Sequence, residues 1–156
     1  MSNMTSFAAS LARASLAWSE QFWDPPAALL ALEPEVKAAA NTAPQHSVRN
    51  SLWFALGLML RNEGDDRARA QRVIAAVLDN QYDTPGTVYH GTFRRWPGEP
   101  RPPAEALIWR DYDPNWRQFV GTTLALLLEE FDTALPPALA ARMDRAIQLA
   151  VVGEPP

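Results

Sequence analysis

The chain has 156 residues, 47% of them apolar, which is long and apolar enough to bury the core of one domain. It contains no cysteine, which excludes disulfides, thiolate metal sites and cysteine nucleophiles. The 14 basic and 18 acidic residues give a net charge of −4, and the scattered basic residues argue against a nucleic-acid partner. The first residues lack a signal-peptide pattern and no run has membrane-spanning length, so we predict a cytoplasmic protein with no membrane contact.

The spacing of apolar residues predicts helices in the first half of the chain. The first spans about residues 6–22 and is followed by a proline- and alanine-rich connection over 23–45. The second runs from 47 to about 62, with Ser47 as its N-cap and Gly64 just beyond its end. Because its centre is apolar on every side, we predict an interior helix.

Three further helices complete the predicted pattern. The third, about 65–80, is amphipathic and predicted to be an outer helix, whereas the fourth, 114–131, is again apolar all round. The fifth starts near residue 136 and is amphipathic. This order predicts an all-α fold of stacked helical hairpins without a sizeable β-sheet, as one domain over 1–156 with a long aromatic-rich loop at 82–112.

Aromatic and acidic residues are concentrated between Trp109 and Trp116, directly before the fourth helix. Asp113 followed by Pro114 predicts an N-cap and first helical residue, because Asp accepts unpaired N–H groups and Pro has none to lose. A helix start gathers polar groups around the positive end of the helix dipole. We therefore expect ligand chemistry at this point of the chain.

Four segments carry a resemblance to a known superfamily: the runs 46–58, 80–82, 90–93 and 111–116. They resemble the six-hairpin, (α/α)6-toroid superfamily of glycoside hydrolases and polysaccharide lyases, and more closely an uncharacterised microbial and fungal branch of it. The resemblance covers about residues 22–150. The branch has no established catalytic residues that can be transferred to this chain.

The resemblance implies a carbohydrate-active protein, similar to a glycoside hydrolase or polysaccharide lyase, that acts on an oligosaccharide. The sequence has no phosphate-binding, zinc or dinucleotide motif, so we predict no cofactor. A complete toroid has twelve helices, whereas about five are predicted here, so the chain looks like an N-terminal half. We then expect self-association or a missing C-terminal half, because half a toroid exposes the sides of its inner helices. The alternatives are a non-catalytic helical-repeat module for binding or interaction, and a truncated, silent relative.

The candidate catalytic residues are Asp111, Asp113 and His90. Glycoside cleavage needs two carboxyl groups about 5–9 Å apart, which residues two apart in sequence are able to provide, and a histidine is a candidate general base near neutral pH. For Asp113 the alternative is helix capping alone, and for His90 it is a structural role beside a constrained glycine. Asp83 and Glu99 are alternative acidic partners for Asp111.

The candidate substrate-binding residues lie in the long loop and at the two interior-helix starts, because the ligand funnel of such toroids lies at that end. They are Trp96, Trp109, Tyr112, Asn115, Trp116, Arg94, Arg110, Asn50 and His46. Aromatic rings suit stacking on sugars, and arginines suit a uronate carboxylate. The alternatives are that the rings only pin the loop and that the arginines pair with Asp111 or Glu99. With two histidines and no cysteine, no metal site is predicted.

Overall fold

The computed structural model of the chain describes residues 6–32 and 45–152. Its α-helices in this part of the chain are α1 (Ser6–Glu20), α2 (Val48–Arg61), α3 (Asp66–Leu78), α4 (Asn115–Phe131) and α5 (Pro137–Val152). A short 3-10 turn, Asp132–Ala134, joins α4 to α5. The predicted helical class and the order of the helices are confirmed. In the part of the chain that is described, no helix has the length and apolar character needed to cross a membrane.

The helices form two hairpins that pack side by side. α2 packs on α3 and α4 packs on α5, while α2 also contacts α4 and α3 contacts α5. The shared core is built from aliphatic side chains, and the largest fully buried ones include Leu52, Leu58, Ile74, Leu124, Leu127 and Met143. The predicted stacking of helical hairpins around one core is therefore observed.

The sequence predicted an irregular connection over 23–45, but its described ends form a small antiparallel sheet. The strands are β1 (Trp23–Asp24), β2 (Leu29–Leu32) and β3 (Gln45–Ser47), in the order β1-β2-β3. Residues 33–44 lie outside the described part of the chain. The buried Leu30 fixes β2 against α2, because its N–H donates to the Ser51 hydroxyl at 2.8 Å. Such short apolar runs carry too little periodicity to identify a strand from sequence.

The prediction that α2 and α4 are buried on every side does not hold within the single chain. Trp53 and Leu60 on α2 and Leu126 on α4 are exposed, and Leu56 is only partly buried. The physical reason is that each helix packs its other sides against the neighbouring hairpin, and these residues point away from that contact. All-round apolar composition shows that a helix is suited to burial but does not identify what covers it.

A buried ion-pair network joins α1, α2 and α3. Arg61 donates two hydrogen bonds to the buried carboxylate of Asp66, from Nε to Oδ2 at 2.7 Å and from Nη2 to Oδ1 at 2.6 Å. Glu20 accepts from Nη2 of Arg61 at 2.8 Å and from Nη2 of Arg69 at 2.5 Å. The hydrogen bond from Arg61 is the main cause of the lowered pKa of Asp66. The hydrogen bond from Arg69 is the main cause of the lowered pKa of Glu20. Arg69 is thus partly buried within this network.

Acid should destabilise the fold through this network. The folded-state pKa of Asp66 and of Glu20 lies below the ordinary carboxyl value, so their contribution is present above about pH 4 and is lost as the pH falls through the lowered values. Urea unfolding measured from pH 7 down to about pH 3 should show the free energy of unfolding falling in this window. The same series in Asp66→Asn should show a shallower fall, and an identical slope in both proteins would contradict this assignment.

Candidate functional site

The N-terminal ends of α2 and α4 meet around one arginine. The guanidinium carbon of Arg49 lies 5.1 Å from the ring centroid of Trp53, 5.3 Å from that of Trp116 and 5.1 Å from that of Phe119. All three distances are within the range of a cation–π interaction. We call these four residues the arginine cage. The long loop reaches the same end of α2, because the Val48 N–H donates to the Arg95 carbonyl at 3.0 Å.

Ser47 caps α2 as predicted, whereas the residue directly before α4 is Pro114, and Asp113 bonds the first residue of the helix. The Ser47 hydroxyl accepts from the Asn50 N–H at 3.3 Å, and the Asp113 carboxylate accepts from the Asn115 N–H at 2.9 Å. The regular helix α4 begins at Asn115, one residue later than predicted. The role of Asp113 is therefore to accept a backbone N–H at the start of α4, and the role of Asn115 is to donate it.

Burial divides the arginine cage into a packed side and an open side. Trp116 is buried, whereas 48% of Trp53 is exposed and the neighbouring Asn50 is partly buried. Trp53 and Asn50 also line an open groove of ≈ 610 Å³ between α1 and α2, together with Trp18, Leu56, Gly57 and Leu60. That volume is within the range of small-molecule pockets.

Trp53 was absent from the predicted site residues, although a sequence signal for it exists. An arginine and a tryptophan four residues apart on a helix stack on the same side of that helix. The contribution of Trp116 and Phe119 comes from α4, and local spacing does not reveal which helices meet. The structure therefore adds Trp53 to the predicted Asn50 and assigns Trp116 a packing role.

Three of the six aromatic residues in the long loop pack against one another. Tyr89 lies between two other tyrosines, with ring centroids 5.3 Å from Tyr82 and 6.2 Å from Tyr112, and all three are buried. Burial raises the pKa of Tyr82 and of Tyr112. The predicted stacking role does not fit Tyr112, because its ring is enclosed in this tyrosine cluster, which matches the alternative of a pinned loop.

His90 closes a turn within the loop. Its Nδ1 accepts from the Thr84 N–H at 2.9 Å, and its backbone carbonyl accepts from Nη2 of Arg117 at 2.7 Å. Asp83, one of the alternative acidic residues, has its Oδ1 3.8 Å from Nδ1 and is exposed. When Nδ1 accepts a hydrogen bond, the ring proton of neutral imidazole lies on Nε2. This geometry favours the structural role for His90 over that of a general base.

Asp111 is held in a tight turn by its own neighbours. Its carboxylate accepts from the Leu107 N–H at 2.8 Å and from Nη2 of Arg110 at 2.7 Å. These bonds, chiefly that from Arg110, lower the pKa of Asp111. A lowered pKa suits a nucleophile or general base better than a general acid, and the Asp113 carboxylate accepts the Asn115 N–H.

The predicted arginines of the loop have local partners. Arg110 pairs with Asp111, while the guanidinium carbon of Arg94 lies 4.5 Å from the Tyr82 ring centroid. Arg95 lies 4.7 Å from the Trp96 ring centroid and bonds Glu99 through Nε at 2.5 Å. Arg110 therefore forms the ion pair predicted as the alternative to uronate binding, whereas Glu99 pairs with Arg95 and Arg94 lies over Tyr82. Trp96 itself is partly exposed beside this pair.

Trp109 remains the most accessible predicted aromatic residue. It is 67% exposed, and its φ of 68° places a non-glycine residue in the left-handed region. The turn that carries it is closed by a hydrogen bond of 2.9 Å from its N–H to the Tyr112 carbonyl. Strained, exposed positions of this kind are enriched at functional sites.

His46 binds across the small sheet. Its Nε2 lies 2.7 Å from Oδ2 of Asp24, and the two side chains are partly exposed. They belong to β3 and β1, on either side of β2. The structure thus gives the predicted sugar-binding His46 an acidic partner on the protein. Within residues 6–32 and 45–152, no three His, Asp or Glu side chains are grouped as metal ligands.

These features define the class of protein. It has two packed helical hairpins, an arginine cage at the N-terminal ends of α2 and α4, and a long ordered loop beside that cage. The chain belongs to the family described as Domain of unknown function (DUF8769), whose model matches residues 9–155. No curated protein and no solved structure matches the chain.

Proposed function

We propose that the chain is a carbohydrate-binding helical domain that acts without catalysis, and that its ligand stacks on Trp53. One observation carries this proposal. Trp53 is 48% exposed at the mouth of an open groove, while Arg49 lies 5.1 Å from its ring centroid. A half-exposed indole offers an apolar face on which the C–H face of a sugar ring is able to stack.

The chemistry of the surrounding residues suits a sugar. A pyranose ring offers an apolar C–H face for stacking and hydroxyl groups that both donate and accept hydrogen bonds. Asn50, which lines the groove beside Trp53, has an amide that donates and accepts, and the indole N–H adds a donor. Ser15 and Ser19 of α1 line the same groove and add hydroxyl groups.

We propose binding without catalysis because the side chains of the three predicted catalytic residues already have partners on the protein. Asp111 is paired with Arg110, Asp113 accepts the Asn115 N–H at the start of α4, and His90 accepts a backbone N–H through Nδ1. A glycoside hydrolase-like or lyase-like activity is the second candidate, and the exposed, strained Trp109 two residues before Asp111 favours it.

The toroid is the architecture that we propose for these hairpins. The side-by-side packing of α2 with α4 and of α3 with α5 is the arrangement expected of two consecutive hairpins in an α/α toroid. In that architecture α2 and α4 are inner helices, and their N-terminal ends open on the ligand funnel. The arginine cage lies at that end, which supports a ligand site there.

Trp53→Ala should weaken saccharide binding by about tenfold or more, because it removes the stacking surface and about 1.4 kcal/mol of binding free energy. The measurement is titration calorimetry of the full chain against a panel of neutral and uronic-acid oligosaccharides. Trp109→Ala is the matched control, since it removes another exposed tryptophan, and it should leave the affinity unchanged.

Three outcomes contradict the proposal. They are a panel without a binder, an equal loss of affinity in the two variants, and release of shortened or unsaturated sugars during the titration. The last outcome selects the hydrolase-like or lyase-like candidate instead. Thermal melts of both variants check that the fold is retained.

A further inference from the structure

Helices α1 and α2 run in the same direction along the groove that holds Trp53. The Cδ1 atom of Leu16 would lie 3.1 Å from a Cβ placed on Gly57, so the two helices approach each other closely at this level. One turn further along both helices, Glu20 accepts from Nη2 of Arg61 at 2.8 Å. Residues of α1 and α2 therefore keep the same spacing along the groove.

The chemistry of the groove changes from one end to the other. On α2 the lining residues recur every three or four positions along one side of the helix, in the order Asn50, Trp53, Gly57 and Leu60. At the first end, neither the Asn50 side-chain amide nor the Trp53 indole N–H forms a hydrogen bond with any part of the chain that the structure describes. Both groups are thus available to bond the hydroxyl groups of a ligand.

The second end of the groove is apolar. Gly57 and Leu60 line it from α2 and Trp18 lines it from α1, and 53% of Trp18 and 55% of Leu60 is exposed. The Ser19 hydroxyl, which lies level with Leu60, already donates to the Ser15 carbonyl at 2.9 Å. A free oligosaccharide has hydroxyl groups along its whole length, and those placed here would lose water without gaining partners. An apolar ligand group fits this end better.

We infer that the groove takes an amphipathic ligand, a neutral saccharide that carries one alkyl or acyl chain. The sugar stacks on Trp53 and bonds Asn50, and the chain extends past Gly57 to Leu60. The inference rests on the saccharide site proposed at Trp53 and names the class of saccharide that fills it. Among the described residues that line the groove, none is charged, so a carboxylate or phosphate head meets no counter-charge in the lining.

The length of the apolar part sets the length of the chain. At about 1.5 Å per residue, Leu60 lies about 10 Å beyond Trp53 along the helix axis. Carbon–carbon bonds of about 1.5 Å at tetrahedral angles advance an extended chain by about 1.25 Å per carbon. A chain of about eight carbons therefore reaches Leu60, and further carbons extend beyond the lining.

The affinity for alkyl maltosides should increase with chain length and then level off. The measurement is titration calorimetry of the full chain with maltose and with hexyl, octyl and decyl maltoside, each below its micelle concentration. Full burial of one methylene raises an affinity about fourfold, so a chain half covered by an open groove should gain about twofold per methylene. Octyl maltoside should then bind about fourfold more tightly than hexyl maltoside, whereas decyl maltoside should gain less than about twofold over octyl maltoside.

Leu60→Gln should weaken the binding of octyl maltoside at least about threefold more than that of maltose, because it places a polar amide against the end of the chain. Leu126→Gln is the matched control, since Leu126 is an exposed leucine on α4 that does not line the groove, and it should leave both affinities unchanged. Equal melting temperatures of the two variants exclude unfolding as the cause.

The amphipathic ligand is ruled out by an affinity that does not depend on chain length, by a lack of binding of octyl maltoside, or by equal losses in Leu60→Gln and Leu126→Gln. The saccharide site still stands after any of these results if an oligosaccharide binds through Trp53. A further titration uses 1-octanol, which has the chain without the sugar and should bind at least about tenfold more weakly than octyl maltoside. If 1-octanol binds as tightly and Trp53→Ala changes neither affinity, the saccharide site and the inference are both contradicted.

Discussion

Asp66→Ala is expected to lower the free energy of unfolding by about 3 kcal/mol. The Asp66 carboxylate is buried and accepts two hydrogen bonds from Arg61 and one, at 2.9 Å, from the Glu63 N–H. Its removal leaves the guanidinium of Arg61 with Glu20 as its remaining carboxylate partner. It also removes the acceptor of the Glu63 N–H in the turn before α3. Urea unfolding at pH 7 measures the loss.

The neighbouring Asp65→Ala is the matched control for this experiment. Asp65 is exposed, and its side chain makes no capping hydrogen bond to α3. We expect a change within about 0.5 kcal/mol, as for most surface substitutions. Equal losses in the two variants would show that the network contributes nothing beyond the general preference for acidic residues at a helix start.

Gly91→Ala is expected to cost about 3 kcal/mol or more. A Cβ on Gly91 would lie 2.3 Å from the Leu149 carbonyl oxygen, and the backbone φ of 84° is itself unfavourable for alanine. Because the obstacle is the backbone of α5, the loop must move to relieve it. Thermal and urea unfolding measure the loss, and the loop should become more accessible to protease.

Gly86→Ala measures the cost of backbone strain at a positive φ without the steric clash that Gly91→Ala adds. Gly86 has a φ of 83°, and an added Cβ there would meet no atom within 4 Å. Its cost should be the strain alone, about 1 kcal/mol. If Gly86→Ala and Gly91→Ala lower the free energy of unfolding equally, the close approach of the loop to α5 does not constrain the fold.

The helices and their caps were predictable from sequence because both depend on local chemistry. Apolar spacing marked the two hairpins, Ser47 and Asp113 accept the N–H groups expected of them, and the glycine after His90 does mark a backbone constraint. The small sheet was missed because its longest strand, Leu29–Leu32, is only four residues long. This strand is buried because it packs against α2, and a short run of sequence does not show that contact.

The site was harder to predict because its members come from separate elements. Asp111 was an attractive acid until the structure placed Arg110 and the Leu107 N–H on its carboxylate. Trp53 was read as one apolar residue of an interior helix, whereas the structure leaves it half exposed beside Arg49. Side-chain pairing and exposure both depend on tertiary packing, which residue type alone does not report.

The most direct test of saccharide binding on Trp53 is a two-dimensional NMR titration that follows the indole N–H signals of the six tryptophans. Each signal is assigned by the loss of one peak in a single Trp→Phe variant. On addition of the best-binding oligosaccharide, we expect the Trp53 signal and the Asn50 side-chain amide to shift together and to saturate, while the Trp109 signal stays in place. Shifts centred on Trp109, or no saturable shift of Trp53 with any oligosaccharide, would contradict the proposed site.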